Sequence, residues 1–297
     1  MKRLLSSYAS DYEKMNAKDL KTSIIASEGR TVLAETVVTA PPLLEGVTNA
    51  EVMTAFGSDL IVLNEFDVFK KDIVGMKTVE NPIQQIKDWV GRPIGINLEP
   101  VDEEAIIHDE QVSLSPGRAV SKESLQAADD LGVDFIMLTG NPSTGVSMTS
   151  IETSIEQTKK YYSGLVFAGK MHGAGLAEDL IDIDQLKRFV EQGADGVLIP
   201  ASGTAPGVTE DAALKATKAI HELGGLVIST IGTSQESADE ATIREIGLSN
   251  KRVGVDIHHI GDGDYGRMPA PENIMQLGVT IRGRRHTYFK MSQSLNR

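Results

Sequence analysis

One junction recurs four times along this chain. Gly57-Ser58-Asp59 opens the apolar run Leu60-Ile61-Val62-Leu63, and Gly132-Val133-Asp134 opens Phe135-Ile136-Met137-Leu138. Gly193-Ala194-Asp195 opens Gly196-Val197-Leu198-Ile199, and Gly254-Val255-Asp256 opens Ile257-His258-His259-Ile260. Glycine ends a helix because it takes the left-handed conformation without steric cost. A short run that is apolar throughout suits a strand buried on both faces, as in a parallel sheet. Four copies of one such junction demand an α/β fold. They also set strand register, which decides which side chains reach a ligand.

Eight strands are predicted: Thr31–Val38, Leu60–Asn64, Pro93–Leu98, Phe135–Thr139, Leu165–Lys170, Gly196–Pro200, Leu226–Thr230 and Ile257–Ile260. The helices between them carry start signals. Thr48-x-x-Glu51 and Ser237-x-x-Glu240 read as capping boxes, Asn81-Pro82 as an N-cap with proline at the first helical position, and Asp182 and Thr209 as N-caps. A leading helix is expected over residues 10–28, and a final helix from Pro271 with Ile274, Leu277 and Ile281 on one face. Eight βα units in 297 residues specify one (β/α)8 TIM barrel with a leading N-terminal helix. The organisation expected is one barrel over 1–297, with a helical extension at 1–30 and a basic tail at 282–297. An open doubly wound sheet, the alternative, usually has fewer strands. The long βα loops at 65–81 and 100–120 place the active site at the C-terminal strand ends, with Ile106–Arg118 as a candidate lid.

Composition narrows the function. There is no cysteine, so thiolate catalysis and zinc–sulfur sites are excluded. That absence and the lack of a long apolar segment fit a cytoplasmic protein without a membrane partner. The formal charge of −13 argues against nucleic acid as partner. Residues 281–297 reverse that sign with Arg282, Arg284, Arg285, Lys290 and Arg297, which reads as a solvated helix end or as a surface for an acidic partner or a neighbouring subunit, the last giving the expected homo-oligomer. Gly140 to Gly145 has phosphate-loop spacing, but Val146 stands where the lysine belongs, so no nucleotide cofactor motif is present. Asp182-x-Asp184 lacks the preceding apolar strand that a phosphotransfer aspartate pair needs.

The four junction aspartates read as structural turn residues at the N-terminal face. By resemblance to barrels built on this junction, the third and fifth residues after each Asp point inward. That selects Val62 and Asn64, Met137 and Thr139, Leu198 and Pro200, and His259 and Gly261. His258 then faces the helices, although a β-bulge would exchange the two histidines. Unpaired charge under a helix is costly, so strand-borne charges are assigned to the mouth. Those are Glu35, then Glu99 beside Asn97, then Lys170 with His172; Asn141 and Ser202 follow strands four and six. Lys170 is expected to lie near Glu35, Glu99 or His172, as an electrophile or Schiff-base lysine. His172 or His259 would move protons. Glu35, Glu99 and His172 are the candidates for holding a divalent cation such as Mg²⁺, Mn²⁺ or Zn²⁺. Three loops suit an anion: Ser202-Gly203-Thr204-Ala205-Pro206-Gly207, Ile231-Gly232-Thr233-Ser234, and Gly261-Asp262-Gly263.

Several segments also carry a family resemblance. They include Glu45-Gly46-Val47-Thr48-Asn49, Asn97-Leu98-Glu99-Pro100, Leu138-Thr139-Gly140-Asn141-Pro142, Gly169-Lys170-Met171-His172-Gly173 and Thr230-Ile231-Gly232-Thr233-Ser234-Gln235. They resemble a bacterial family of uncharacterised barrel proteins labelled phosphoenolpyruvate-phosphonomutase-like or haloacid-dehalogenase-like. Pro93-Ile94-Gly95-Ile96-Asn97 and the 202–207 loop are similar, more remotely, to the BtpA photosystem I biogenesis family. The resemblance implies a barrel with its site at the mouth and leaves the reaction open. The expectation is a lyase or isomerase for a small phosphorylated or carboxylated, hence anionic, metabolite. A metal-dependent hydrolase and a non-catalytic ligand-sensing or assembly barrel are the rivals.

Overall fold

The computed structural model describes residues 2–102, 112–173 and 176–297. Two short helices, α1 (Ala9–Tyr12) and α2 (Ala17–Ile25), lead into β1 (Thr31–Val37), α3 (Asn49–Ala55), β2 (Leu60–Asn64), α4 (Pro82–Val90), β3 (Ile94–Leu98), α5 (Lys122–Asp130) and β4 (Phe135–Leu138). The chain continues through α6 (Met148–Tyr161), β5 (Leu165–Gly169), α7 (Ile183–Glu191), β6 (Gly196–Pro200), α8 (Glu210–Glu222), β7 (Leu226–Ile231), α9 (Glu240–Val253), β8 (Ile257–Ile260) and α10 (Pro271–Met291). The strands are parallel and close in sequence order, β8 pairing back onto β1, into a (β/α)8 barrel.

The repeated junction works as a clamp. The Asp59 amide donates to the Val32 carbonyl at 2.8 Å while its carboxylate accepts from the Val32 amide at 2.9 Å. Asp134 grips both backbone groups of Ile94, Asp195 those of Val166, and Asp256 those of Val227. Each aspartate thereby joins its own strand to the preceding one, at the β1–β2, β3–β4, β5–β6 and β7–β8 seams. All four sit at the N-terminal strand ends, as expected from the sequence.

This register gives the barrel two apolar layers. Leu33, Leu60, Val62, Phe135, Met137, Phe167, Leu198, Ile228 and Ile257 fill the interior. Val32, Ala34, Ile61, Ile96, Ile136, Val166, Val197 and Val227 face the helices. Burial of this kind contributes about 25 cal/mol for each Å² of apolar surface removed from water. Above the interior layer the inward positions turn polar, and there the site begins.

Three local expectations need correction. The leading helix is two helices, because Asn16 caps a new start by accepting from the Asp19 amide at 3.0 Å. Their Tyr12, Leu20 and Ile24, with Leu4, join the interior cluster. The cap of α9 is Asp239, which accepts from Thr242, rather than Ser237, which lies in a preceding 3₁₀ turn. The basic 282–297 segment is mostly helical, with a break at Gly283 (φ 74°, ψ 165°). Two of its cations turn inward: Arg282 meets Asp59 at 2.5 Å, and Lys290 donates to the Leu4 carbonyl at 2.7 Å and the Tyr12 hydroxyl at 2.6 Å. Burial lowers the Lys290 pKa to about 7. Arg284, Arg285 and Arg297 remain exposed. The lid segment Ile106–Arg118 lies partly outside the described residues. Its described end is tied down, with Val112 donating to the Ser143 carbonyl and Val68 to that of Gly117. No helix among the described residues is long and apolar enough to cross a membrane.

Candidate active site

At the C-terminal strand ends a cavity of about 190 Å³ opens into the barrel. Its wall includes Glu35, Asn64, Asn97, Thr139, Asn141, Met171, His172, Gly232, Thr233, Glu236, Gly261, Asp262 and Arg267. Glu35 lines the cavity, and behind it His259 Nε2 lies 2.6 Å from Glu35 Oε2, both side chains being buried. Leu33 and His259 are register partners on β1 and β8, so Glu35, two residues farther along β1, rises just above the histidine on the same face. His258 points the other way. It is fully buried, bonds the Gly29 carbonyl at 3.1 Å, and burial holds its pKa down at about 3. The inward histidine is therefore His259, with no bulge in β8.

Three amides link three carboxylates. Asn97 Nδ2 donates to Glu35 at 2.6 Å and to Asn64 Oδ1 at 2.9 Å. Asn64 Nδ2 donates to Asp262 at 2.8 Å, and Asn141 Nδ2 donates to Glu99 at 2.9 Å and to Asn64 Oδ1 at 3.0 Å. The Glu35 and Glu99 carboxylates can only accept, which orients Asn97 and Asn141, and their donation to Asn64 Oδ1 orients Asn64 in turn. Asp262 is half-buried, and its pKa is pushed up to about 7, first by desolvation and then by the Glu35 charge. Desolvation also raises Glu236. It lowers His172, with the Lys170 charge adding to the effect.

Glu99 is saturated. Its two oxygens accept from Arg118, from the Asn141 amide N–H and side chain, and from Thr144. It holds the loop after β4 in place and has no lone pair to spare for a substrate or metal. Among the described residues, no group of three acidic or imidazole side chains is placed to hold a metal ion, so Glu35, Glu99 and His172 do not form a ligand set there.

Lys170 lies close enough to His172 for its charge to act on it, as expected, but its hydrogen bonds go elsewhere. Val166 and Ala168 on β5 face the helices, and Lys170 continues that outward side. Its ammonium donates to the Val146 carbonyl at 2.9 Å, the Gly173 carbonyl at 3.1 Å and Glu178 at 2.7 Å. It is committed to that pocket between two loops, away from Glu35 and Glu99. The burial-cost rule was satisfied by a different route, an acid from the following loop. The preceding residue, Gly169, has φ 146° and a Cβ there would meet the Leu198 carbonyl at 2.2 Å, so the inward position before Lys170 carries no side chain. His172 does reach the cavity.

Of the expected anion loops, Gly232, Thr233, Gly261 and Asp262 line the cavity, while Ser202, Gly203 and Ser234 do not. The Gly261 amide is already spent on the Ile231 carbonyl at 2.7 Å. Sequence reasoning missed Gly140, Pro142 and Met171 in the cavity wall and two charged residues, Glu236 and Arg267. Arg267 takes a left-handed conformation (φ 54°) directly after Gly266 (φ 69°). Thr36 bonds the Arg267 carbonyl at 2.9 Å, and Asn49 bonds that of Gly266 at 2.7 Å. A non-glycine residue held in this region by two buried side chains stores strain, which is concentrated at functional positions. The clue available in the sequence was a basic residue shortly after strand eight.

Residues 5–297 match the family described as domain of unknown function DUF7916. The chain belongs to that family. No curated protein matches this chain. In fold, the chain is similar to an archaeal fructose 1,6-bisphosphate aldolase at 13% identity and TM-score 0.54, covering 93% of this chain and 99% of that one. It is similar to 2,3-dimethylmalate lyase, a PEP mutase/isocitrate lyase superfamily member, at 12% identity and TM-score 0.50, covering 82% and 80%. It is also similar to phosphoenolpyruvate phosphomutase from Streptomyces platensis subsp. rosaceus at 14% identity and TM-score 0.50, again over 82% and 80%. At such identities the likeness is one of fold.

Proposed function

We propose that this DUF7916 chain is a lyase or isomerase that moves a proton on a small carboxylated or phosphorylated metabolite held in the barrel mouth. The observation that carries this reading is the buried contact of 2.6 Å between His259 and Glu35, a residue of the cavity wall. A carboxylate accepting the Nε2 proton fixes the imidazole tautomer and leaves Nδ1 with its lone pair. His259 Nδ1 is buried and has no protein partner. His259 would take a proton at Nδ1, and Glu35 would stabilise the imidazolium that forms, as in other carboxylate–histidine pairs.

The rest of the wall fits the same chemistry. Arg267, whose guanidinium makes no hydrogen bond or ion pair among the described residues, is the group for an anionic end of the substrate. Protonated Asp262 and neutral His172 can each exchange a proton near neutral pH. The fold likeness to a dimethylmalate lyase, a phosphoenolpyruvate phosphomutase and an aldolase supports the reaction class.

The test is solvent exchange. Three- to six-carbon oxo-, hydroxy- and amino-acids and their phosphate esters are incubated with the protein in D₂O, and loss of carbon-bound protons is followed by NMR. Exchange with at least one compound is expected, falling on the order of 10²–10⁴-fold in His259→Asn. Exchange that is equal in His259→Asn and the parent would overturn the assignment.

A further inference from the structure

We infer that the ligand of this mouth carries a protonated amine, seated among Glu35, Asn97, Thr139 and Glu236, with its anionic end at Arg267. The inference rests on the mouth being the reaction site, and it names the class of substrate.

The first argument is hydrogen-bond accounting. Asn97 is 4% exposed, and its NH₂ group is consumed by Glu35 and Asn64. Its Oδ1 is buried without a partner. An amide oxygen only accepts, so whatever completes the site there must donate. Thr139 Oγ1 and Glu236 Oε2 are also buried and unpartnered, on side chains 3% exposed that line the same cavity. Buried polar atoms without partners are rare, and each calls for an explanation.

The second argument is charge. The cavity wall sets Glu35, Glu236 and Asp262 against one arginine, Arg267, with Arg118 already paired to Glu99. The Glu236 and Asp262 carboxyls are both pushed toward the protonated form, mainly by desolvation and partly by Glu35. Gly263 permits this arrangement, since a Cβ there would lie 1.8 Å from Glu236 Oε1. Desolvation makes ionisation of these carboxyls costly in this mouth, and a bound cation with several N–H groups would restore their charge and their accepting capacity.

An ammonium group brings three donors and one positive charge. A carbonyl brings no donor. A hydroxyl brings one and leaves the excess negative charge in place. A divalent metal needs several oxygen or nitrogen ligands at short distance, and among the described residues no three acidic or imidazole groups are so placed. Ammonium N–H contacts are longer and tolerate the observed spread.

The experiment compares carbon frames that differ only at C2. Alanine, lactate and pyruvate form one frame, serine, glycerate and hydroxypyruvate a second, and aspartate, malate and oxaloacetate a third. Binding is measured by calorimetry on the whole protein. In at least one frame the amino member is expected to bind ten-fold or more tightly than its hydroxy and oxo analogues. Asn97→Leu and Glu236→Gln should each remove that preference, while Asn97→Asp retains it; circular dichroism checks folding, and Thr139→Val serves where a variant fails to fold. Tighter binding of the hydroxy or oxo member in every frame overturns the inference, as does the absence of binding by any amino member. So does Mn²⁺ alone binding at a site that Asn97→Leu and Glu236→Gln abolish. Proton exchange with a hydroxy or oxo acid would leave the proposed reaction standing while the amine falls.

Discussion

Glu35 and His259 touch across the seam where β8 closes onto β1, the first and last strands of the barrel. The contact forms only once the barrel has closed, so the site exists only in the completed fold. Glu35→Gln preserves the amide-accepting oxygen for Asn97 but removes the charge that would stabilise an imidazolium. We expect proton exchange for each folded molecule to fall about 10²-fold or more in Glu35→Gln and in His259→Asn. Turnover unchanged in both variants would exclude the pair from catalysis.

Lys170 predicts the opposite pattern. Its ion pair with Glu178 is 1% exposed on the lysine side and 22% on the acid side. Lys170→Met leaves Glu178 and two loop carbonyls without their donor. Urea unfolding should show a loss of about 3 kcal/mol, the low end for breaking a buried pair, with less effect on proton exchange than His259→Asn. Borohydride should not trap a substrate on this lysine. A trapped adduct would refute the assignment of Lys170 to a loop clamp.

His258 should govern stability in acid. Its folded pKa is depressed to about 3, against an ordinary histidine value of 6.5. Between those values the unfolded chain binds a proton that the folded chain does not. Stability from this group is complete above pH 6.5 and is lost as pH falls toward 3, at up to about 1.4 kcal/mol for each pH unit. His258→Gln, whose amide can still donate to the Gly29 carbonyl, should flatten that part of the stability curve. Denaturant melts at a series of pH values check this, and an unchanged slope would rule it out.

Asp256 precedes the two histidines yet should leave catalysis alone. It clamps Val227 and bonds His221 at 2.8 Å. Asp256→Ala should cost about 1–3 kcal/mol of stability through the unsatisfied Val227 amide. Proton exchange for each folded molecule should match the parent; a hundred-fold drop would contradict the structural role.

The fold was legible because the Gly-x-Asp junction combines a helix stop and a strand start in three residues. It also located Asn64, Thr139 and His259 correctly, since strand alternation counts from a fixed point. The method failed where the strand ends. Lys170 lies one residue past Gly169, and its partner Glu178 comes from a loop that no periodicity describes. Glu99 was legible as an inward charge, but its saturation by Arg118, Asn141 and Thr144 depends on loops packing together. Arg267 and Glu236 escaped notice because both lie in short 3₁₀ turns after their strands, which have no periodicity to read.

The aspartate clamps occupy alternate seams, which gives the barrel a division that its closed outline conceals. Each clamped pair of strands is stitched to itself at the base, and neighbouring pairs meet by ladder hydrogen bonds without such a stitch. New chain ends introduced in the β2–β3, β4–β5 or β6–β7 connections would leave every clamp within an uninterrupted stretch of chain. Ends cut between β1 and β2 would divide one. The barrel thus has preferred places at which it can be opened, and they follow a two-strand rhythm.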